Sequence, residues 1–405
     1  MSKDKQKISK FFFYLIVACY MMEGIVDVIV GSSWPVIART IRVDISLIGM
    51  LNMVYYMGSI ITSSRTYKIR QKLGTNYTMV LSHICFGFAL ILYIIATNIY
   101  ILFIGMFING VGCGLMEVNA NSYVLKAYDV KGESILSSFW GLGSVLGSTI
   151  MATAVRYFPP YQKGFAILVG ILVINIILLL TAKKHWVKKR KTISKEIVDL
   201  HSVTDEEKNV NIKIISLIKN RKIILILISF FFAEGVIITL NSLVSTILVS
   251  QGNISESSAL GITILFFVAI FLGRMIFGNT TKKGKIISIL KINSFIVSIL
   301  LLLLFMCPAK SAIISVLTIT IGFISAPIIP FLYAYLKETF DVTLLSALLG
   351  YGDVCAVIGI ISMSGLTTFI LGMASVKGVE IFFAISLLIL FLIFIKAEKL
   401  NNESL

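Results

Sequence analysis

The chain has 405 residues, of which 57% are hydrophobic and 14% charged, with a mean hydropathy of +0.95. A soluble domain is usually about 45–50% apolar and roughly 25% charged, so a soluble globular protein is excluded; an outer-membrane barrel is excluded too, because alternating strand patterns are absent. The formal net charge of +16 does not call for a nucleic-acid partner, because the basic residues fall in short segments between apolar runs.

Twelve apolar runs long enough to cross hydrocarbon, which takes about 20 residues, follow one another at 11–37, 45–64, 76–97, 99–125, 134–157, 164–182, 222–249, 257–279, 286–306, 311–336, 343–371 and 376–395. The first is too long for the apolar core of a signal peptide and lacks a small-residue cleavage site, so it reads as a retained helix. Trp34-Pro35 is read as its exit, with the tryptophan in the interfacial aromatic belt. Between the sixth and seventh runs lies a polar segment containing Lys188-Lys189-Arg190-Lys191, suited to anionic lipid headgroups. It divides the chain into a six-helix bundle at 1–182, a linker at 183–221 and a second bundle at 222–405. Pro327 and Pro330 should interrupt the tenth run. With the N-terminus placed in the cytoplasm, 29 of the 36 Lys and Arg residues lie on the cytoplasmic side and 6 outside, Arg274 remaining within a span. Positive charge sets membrane orientation, which puts both termini and the linker in the cytoplasm of a cell-membrane protein.

The two halves carry local matches. Glu23-Gly24-Ile25-Val26 in the first span matches Glu234-Gly235-Val236-Ile237 in the seventh, and Gly141-Leu142-Gly143 in the fifth matches Gly350-Tyr351-Gly352 in the eleventh, at nearly one offset. A duplicated six-helix unit follows, with its solute site near the midplane between the repeats.

Ionisable groups inside spans are costly, about 2.5–3.5 kcal/mol each on insertion scales, and face protein or water-filled cavities. Glu23 and Asp27 lie four apart on the first span, and Glu117 and Asn121 four apart on the fourth; such pairs share a helix side. Glu234 and Asn241 share a side of the seventh span, Asp353 follows two glycines in the eleventh, and Arg274 is the one cation inside a span, with Glu234 or Asp353 as its natural partner. Glu23 and Asp27 are too close for both to ionise cheaply in low dielectric, which suits a proton carrier; Glu23, Glu117, Asn121, Glu234, Asn241, Arg274 and Asp353 are candidates for solute binding. Gly141, Gly143 and Gly147 are helix-contact residues; Trp140 is read as an interfacial or packing residue ahead of one that stacks on an apolar sugar face, and His83 and the five cysteines as packing residues. No nucleophile–base set or metal-ligand spacing appears, so the expectation is a protein that is not an enzyme and needs no cofactor or metal.

In this pattern the chain resembles the major facilitator superfamily, and within it the fucose permease-like branch of sugar–proton symporters. The likeness rests on Asp27 with Trp34-Pro35, on Tyr55-Tyr56-Met57-Gly58, on Gly112-Cys113-Gly114-Leu115-Met116-Glu117-Val118-Asn119-Ala120-Asn121, on Ser138-Phe139-Trp140-Gly141-Leu142-Gly143 and on Gly273-Arg274. The resemblance implies an all-α membrane fold of twelve transmembrane helices in two pseudo-symmetric halves, and it implies protonation and substrate roles for Asp27 and Glu117. The loop 64–74 keeps basic charge but lacks the aspartate of the superfamily signature. The expected function is proton-coupled uptake of a small polar solute, a monosaccharide first, by alternating access. The alternative is a proton-driven exporter of drug-like or metabolic compounds. The expected partners are the solute, protons and the lipid bilayer, with no nucleic acid, and the expected state is monomeric.

Overall fold

In the computed structural model the described residues are 10–127, 130–181, 220–251, 254–281, 284–307, 311–340, 342–373 and 375–402. They form thirteen α-helices: α1 Lys10–Ile41, α2 Ile48–Leu73, α3 Thr75–Ile95, α4 Ile99–Ala127, α5 Val130–Tyr157, α6 Gln162–Thr181, α7 Arg221–Ser250, α8 Glu256–Thr280, α9 Ile286–Met306, α10 Ser311–Ser325, α11 Ile328–Thr339, α12 Val342–Met373 and α13 Val376–Asn402. No strand occurs among the described residues. Twelve membrane-crossing lengths result, α10 and α11 together making one interrupted span, so the all-α, twelve-span expectation holds. Most of the polar segment between the halves (182–219), with its lysine cluster, lies outside the described residues.

The interruption of the tenth span has a simple cause. Pro327 stands at the N-cap of α11 and Pro330 in its first turn, where a missing N–H breaks no intrahelical bond, whereas the same residues inside a continuous helix would each remove one. At the other proline the expectation fails. Helix α1 runs through Pro35 to Ile41, and Trp34 is 0% exposed, donating its indole N–H to the Ile45 carbonyl at 2.6 Å. Trp34 is thus a core residue pinning the α1–α2 connection, not a belt residue. The proline is tolerated because it deprives only the Gly31 carbonyl of its helical donor.

Helix pairing repeats between the halves. In the first half α1 packs on α5, α2 on α4 and α3 on α6; in the second, α7 packs on α12, α8 on α10 and α9 on α13. Small residues permit this closeness: a Cβ on Gly143 would stand 2.1 Å from the Met21 carbonyl oxygen of α1.

The halves meet through α1 with α7, α2 with α12 and α5 with α8. Two close backbone crossings between the halves lie toward the end of the molecule that carries the α1–α2 and α7–α8 connections. There a Cβ on Gly31 would lie 2.6 Å from the Ser242 carbonyl oxygen, and one on Gly49 would lie 2.2 Å from that of Ser364. Arg39 and Glu256 close the same end with a 2.8 Å ion pair. Toward the opposite end, where α1 starts and α13 finishes, Glu117 on α4 and Asp353 on α12 are exposed although both sit within membrane-crossing helices. We call the end with these crossings and the Arg39–Glu256 pair the closed end, and the end toward which Glu117 and Asp353 are exposed the open end.

Candidate functional site

The polar side chains of the spans collect into three groups around the junction of the halves. The first is built on α1 and α4. Glu23 is 3% exposed, and its Oε1 accepts a hydrogen bond from the Cys113 thiol at 3.2 Å. Its other oxygen, also buried, has no hydrogen-bond partner. Glu117, one helical turn past Cys113, presents a third donor atom, and one atom from each of the three residues lies within 4.8 Å of the others. These are the residues here that could hold a cation. Cys113 is therefore a polar partner of a buried carboxylate and not the packing residue read from sequence. Asn121 follows Glu117 by one turn on α4, but its side chain lies outside the described residues.

The second group joins α1, α5, α7 and α8. The Trp140 indole N–H donates to Asp27 Oδ2 at 3.2 Å. The face of the same ring carries the Arg274 guanidinium, its carbon 5.3 Å from the ring centroid, within cation–π range. Asp27 and Trp140 also line a narrow cavity with Tyr56, Ile238, Asn241 and Ser242. Asn241 is 5% exposed, and both its amide nitrogen and its amide oxygen lack partners. A buried amide with no partner costs about 1–3 kcal/mol per group, so an amide left in this state at a cavity wall is poised for a hydroxyl-bearing or amide-bearing ligand. The cavity draws its walls from both halves.

The third group lies wholly in the second half. The Tyr333 hydroxyl is 2.9 Å from Glu234 Oε1 and 2.7 Å from Asp353 Oδ1. The tyrosine ring is held edge-on by Phe230, with centroids 4.9 Å apart. Glu234 and Asp353, each named from sequence as a partner for Arg274, thus meet each other through a tyrosine.

The grouping differs from the sequence pairing. Glu23 and Asp27 do share one side of α1, but Glu23 joins Glu117, while Asp27 joins Trp140 and Asn241. Cys113 and Tyr333 were missed as site residues, and Trp140 was ranked as packing ahead of site. Trp140 and Tyr333 reach carboxylates 113 and 99 positions away, which spacing along one helix cannot signal. His83 stays a packing residue, fully buried, with Nδ1 2.8 Å from the Met79 carbonyl and its ring against Phe86.

Twelve spans in two repeated halves around a polar centre define a secondary transporter. The family model described as the Major Facilitator Superfamily matches residues 16–340, and the chain belongs to that superfamily. No curated protein matches its sequence. Among solved structures it is similar to one described as a D-xylose-proton symporter, at 13% identity and TM-score 0.73, over 93% of this chain and 97% of that one. It is equally similar to the xylose transporter XylE from E. coli in a partially occluded inward-open conformation, again at 13% identity and TM-score 0.73, over 96% and 99% of the two chains. The protein is a multi-pass membrane transporter of the major facilitator fold.

Proposed function

We propose that the protein is a proton-coupled importer of a small polar solute, in the first place a monosaccharide, working in the cell membrane with both termini in the cytoplasm. The observation that carries this reading is the inter-half cavity in which the unpartnered amide of Asn241 faces the Asp27–Trp140 pair. An amide supplies both a donor and an acceptor, as adjacent sugar hydroxyls require, and an indole face suits the apolar face of a sugar ring. The two xylose transporters of similar fold are in line with a sugar cargo.

Asp27 and Glu117 are the proton carriers in this scheme. A carboxylate carried charged through the closed state costs several kcal/mol, and a proton removes that cost, so solute and proton move together more cheaply than either alone. Asp27 takes its proton while the closed end is open to the outside. Solute then binds against Asn241 and Trp140, and the halves at 1–182 and 222–405 rock about the α1–α7, α2–α12 and α5–α8 contacts. With 29 of 36 basic residues assigned to the cytoplasmic side, the open end seen here is the cytoplasmic one, and Glu117 is placed to release its proton there. Glu23, Asn121, Arg274, Glu234 and Asp353 complete the polar lining.

The test is counterflow in proteoliposomes with a panel of labelled monosaccharides. Exchange of at least one sugar, lost in Asn241→Leu, is the expected result. No exchange of any sugar, with active extrusion of a lipophilic cation, would establish the exporter reading in its place.

A further inference from the structure

We propose that Tyr333 is a proton-relay residue that passes a proton between Glu234, in the middle of α7, and Asp353, on the wall of the open end. The inference rests on the proton-coupled reading above and adds to it a second proton path, independent of Asp27. Its basis is a count of hydrogens. Two oxygen–oxygen contacts of 2.9 and 2.7 Å flank one phenolic oxygen, and distances of that length each need a hydrogen between the atoms. A phenol carries one. If it donates to one carboxylate, the hydrogen in the other contact must belong to the other carboxyl, which therefore holds a proton. The Glu234–Tyr333–Asp353 chain is thus one proton richer than two carboxylates and a phenol in water at neutral pH.

That arrangement conducts. The Glu234 carboxyl gives its proton to the Tyr333 oxygen as the Tyr333 O–H proton passes to the Asp353 carboxylate. One O–H bond breaks and one forms at the phenol, which ends unchanged, and the negative charge moves from Asp353 to Glu234. Glu234 is half-buried and Asp353 exposed, so the transfer runs from the core toward water. The edge-on contact with Phe230 fixes the ring and keeps the phenol between its partners. The titratable groups that act electrostatically on this chain include Glu117 from α4 and Tyr56 from α2. Glu117 faces Asp353 across the open end, which favours keeping the shared proton until one of them releases to solvent.

Two measurements on the full-length protein decide the matter. In infrared difference spectra of the protein in lipid near neutral pH, the carbonyl band of protonated carboxyls should lose intensity in Glu234→Gln and in Asp353→Asn. Unchanged intensity in both would overturn the shared proton. In proteoliposomes Tyr333→Phe, which keeps the ring against Phe230, should lose pH-gradient-driven accumulation by about a hundredfold, the loss expected of one proton-transfer group, and far more than it loses of counterflow. Equal losses in the two assays would mean that Tyr333 is structural and would overturn the relay. If the wild type fails to accumulate any sugar while the infrared result holds, the symport reading falls and the Tyr333-bridged proton stands.

Discussion

At the scale of single residues, the centre of the protein is a set of polar atoms held short of satisfaction. Asn241 is the clearest case, with two unpartnered amide atoms in a nearly dry position. Asn241→Leu removes both at similar volume, and unpartnered groups cost about 1–3 kcal/mol each. The variant should therefore melt higher than the wild type in a thermal scan while losing solute binding by about tenfold or more, a trade of stability against function. A lower melting temperature would mean that the amide is satisfied in solution. Trp140→Phe keeps an aromatic ring over which Arg274 can lie but removes the donor to Asp27. A donor to a carboxylate favours its charged form over its protonated form, so the pH at which transport is half-maximal should move, measured as initial uptake rate against pH; an unchanged profile would mean that Trp140 does not act on Asp27. Neither residue could be weighed correctly from sequence, because the value of each depends on a partner from another helix. Asp27 and Glu117 stood out as carboxylates in apolar runs, yet Trp140 in the fifth span reads first as a packing tryptophan.

At the scale of elements, close approach of helix backbones separates contacts that hold a half together from contacts that hold the halves together. Gly143 belongs to the first kind, set against Met21 within the α1–α5 pair; Gly31 and Gly49 belong to the second, set against α7 and α12. Gly31→Val and Gly49→Val should therefore leave each half folded but disfavour the closed end. Cysteine probes placed beside Arg39 should then react faster with an impermeant thiol reagent than in the parent protein, and an unchanged labelling rate would show that these crossings do not gate the closed end. Gly143→Val should instead lower the melting temperature without any such gain. Asp44 lies outside the spans and caps the 3-10 turn Ile45–Leu47 by accepting from the Ser46 amide at 2.8 Å, which holds its carboxyl below the usual range. A depressed carboxyl stabilises at pH above its ordinary value and ceases to as pH falls through the lower folded value, so this cap is fully formed at neutral pH and does not shape the pH dependence of transport.

The whole molecule was the most legible level. Length and hydropathy of each run fix where a helix can cross a bilayer, and the two prolines of the tenth run located its interruption to within a residue or two. Internal matches around Glu23 and Glu234 foretold the repeated helix pairing. Trp34-Pro35 misled because the rule that proline ends a helix assumes that the lost bond matters, and at α1 only one carbonyl goes without. Nothing in the composition could say which end is shut, since the charge bias orients the chain in the bilayer while the shut end is decided by helix crossings. Solute binding beside Asp27, with Asp27 carrying a proton that accumulation requires, is the centre of the proposed function. Uptake of a labelled monosaccharide into proteoliposomes under an imposed inward pH gradient measures it directly, with wild type and Asp27→Asn side by side. The prediction is accumulation above equilibrium by the wild type, abolished by a protonophore, and exchange without accumulation by Asp27→Asn. Accumulation by Asp27→Asn equal to the wild type would contradict it.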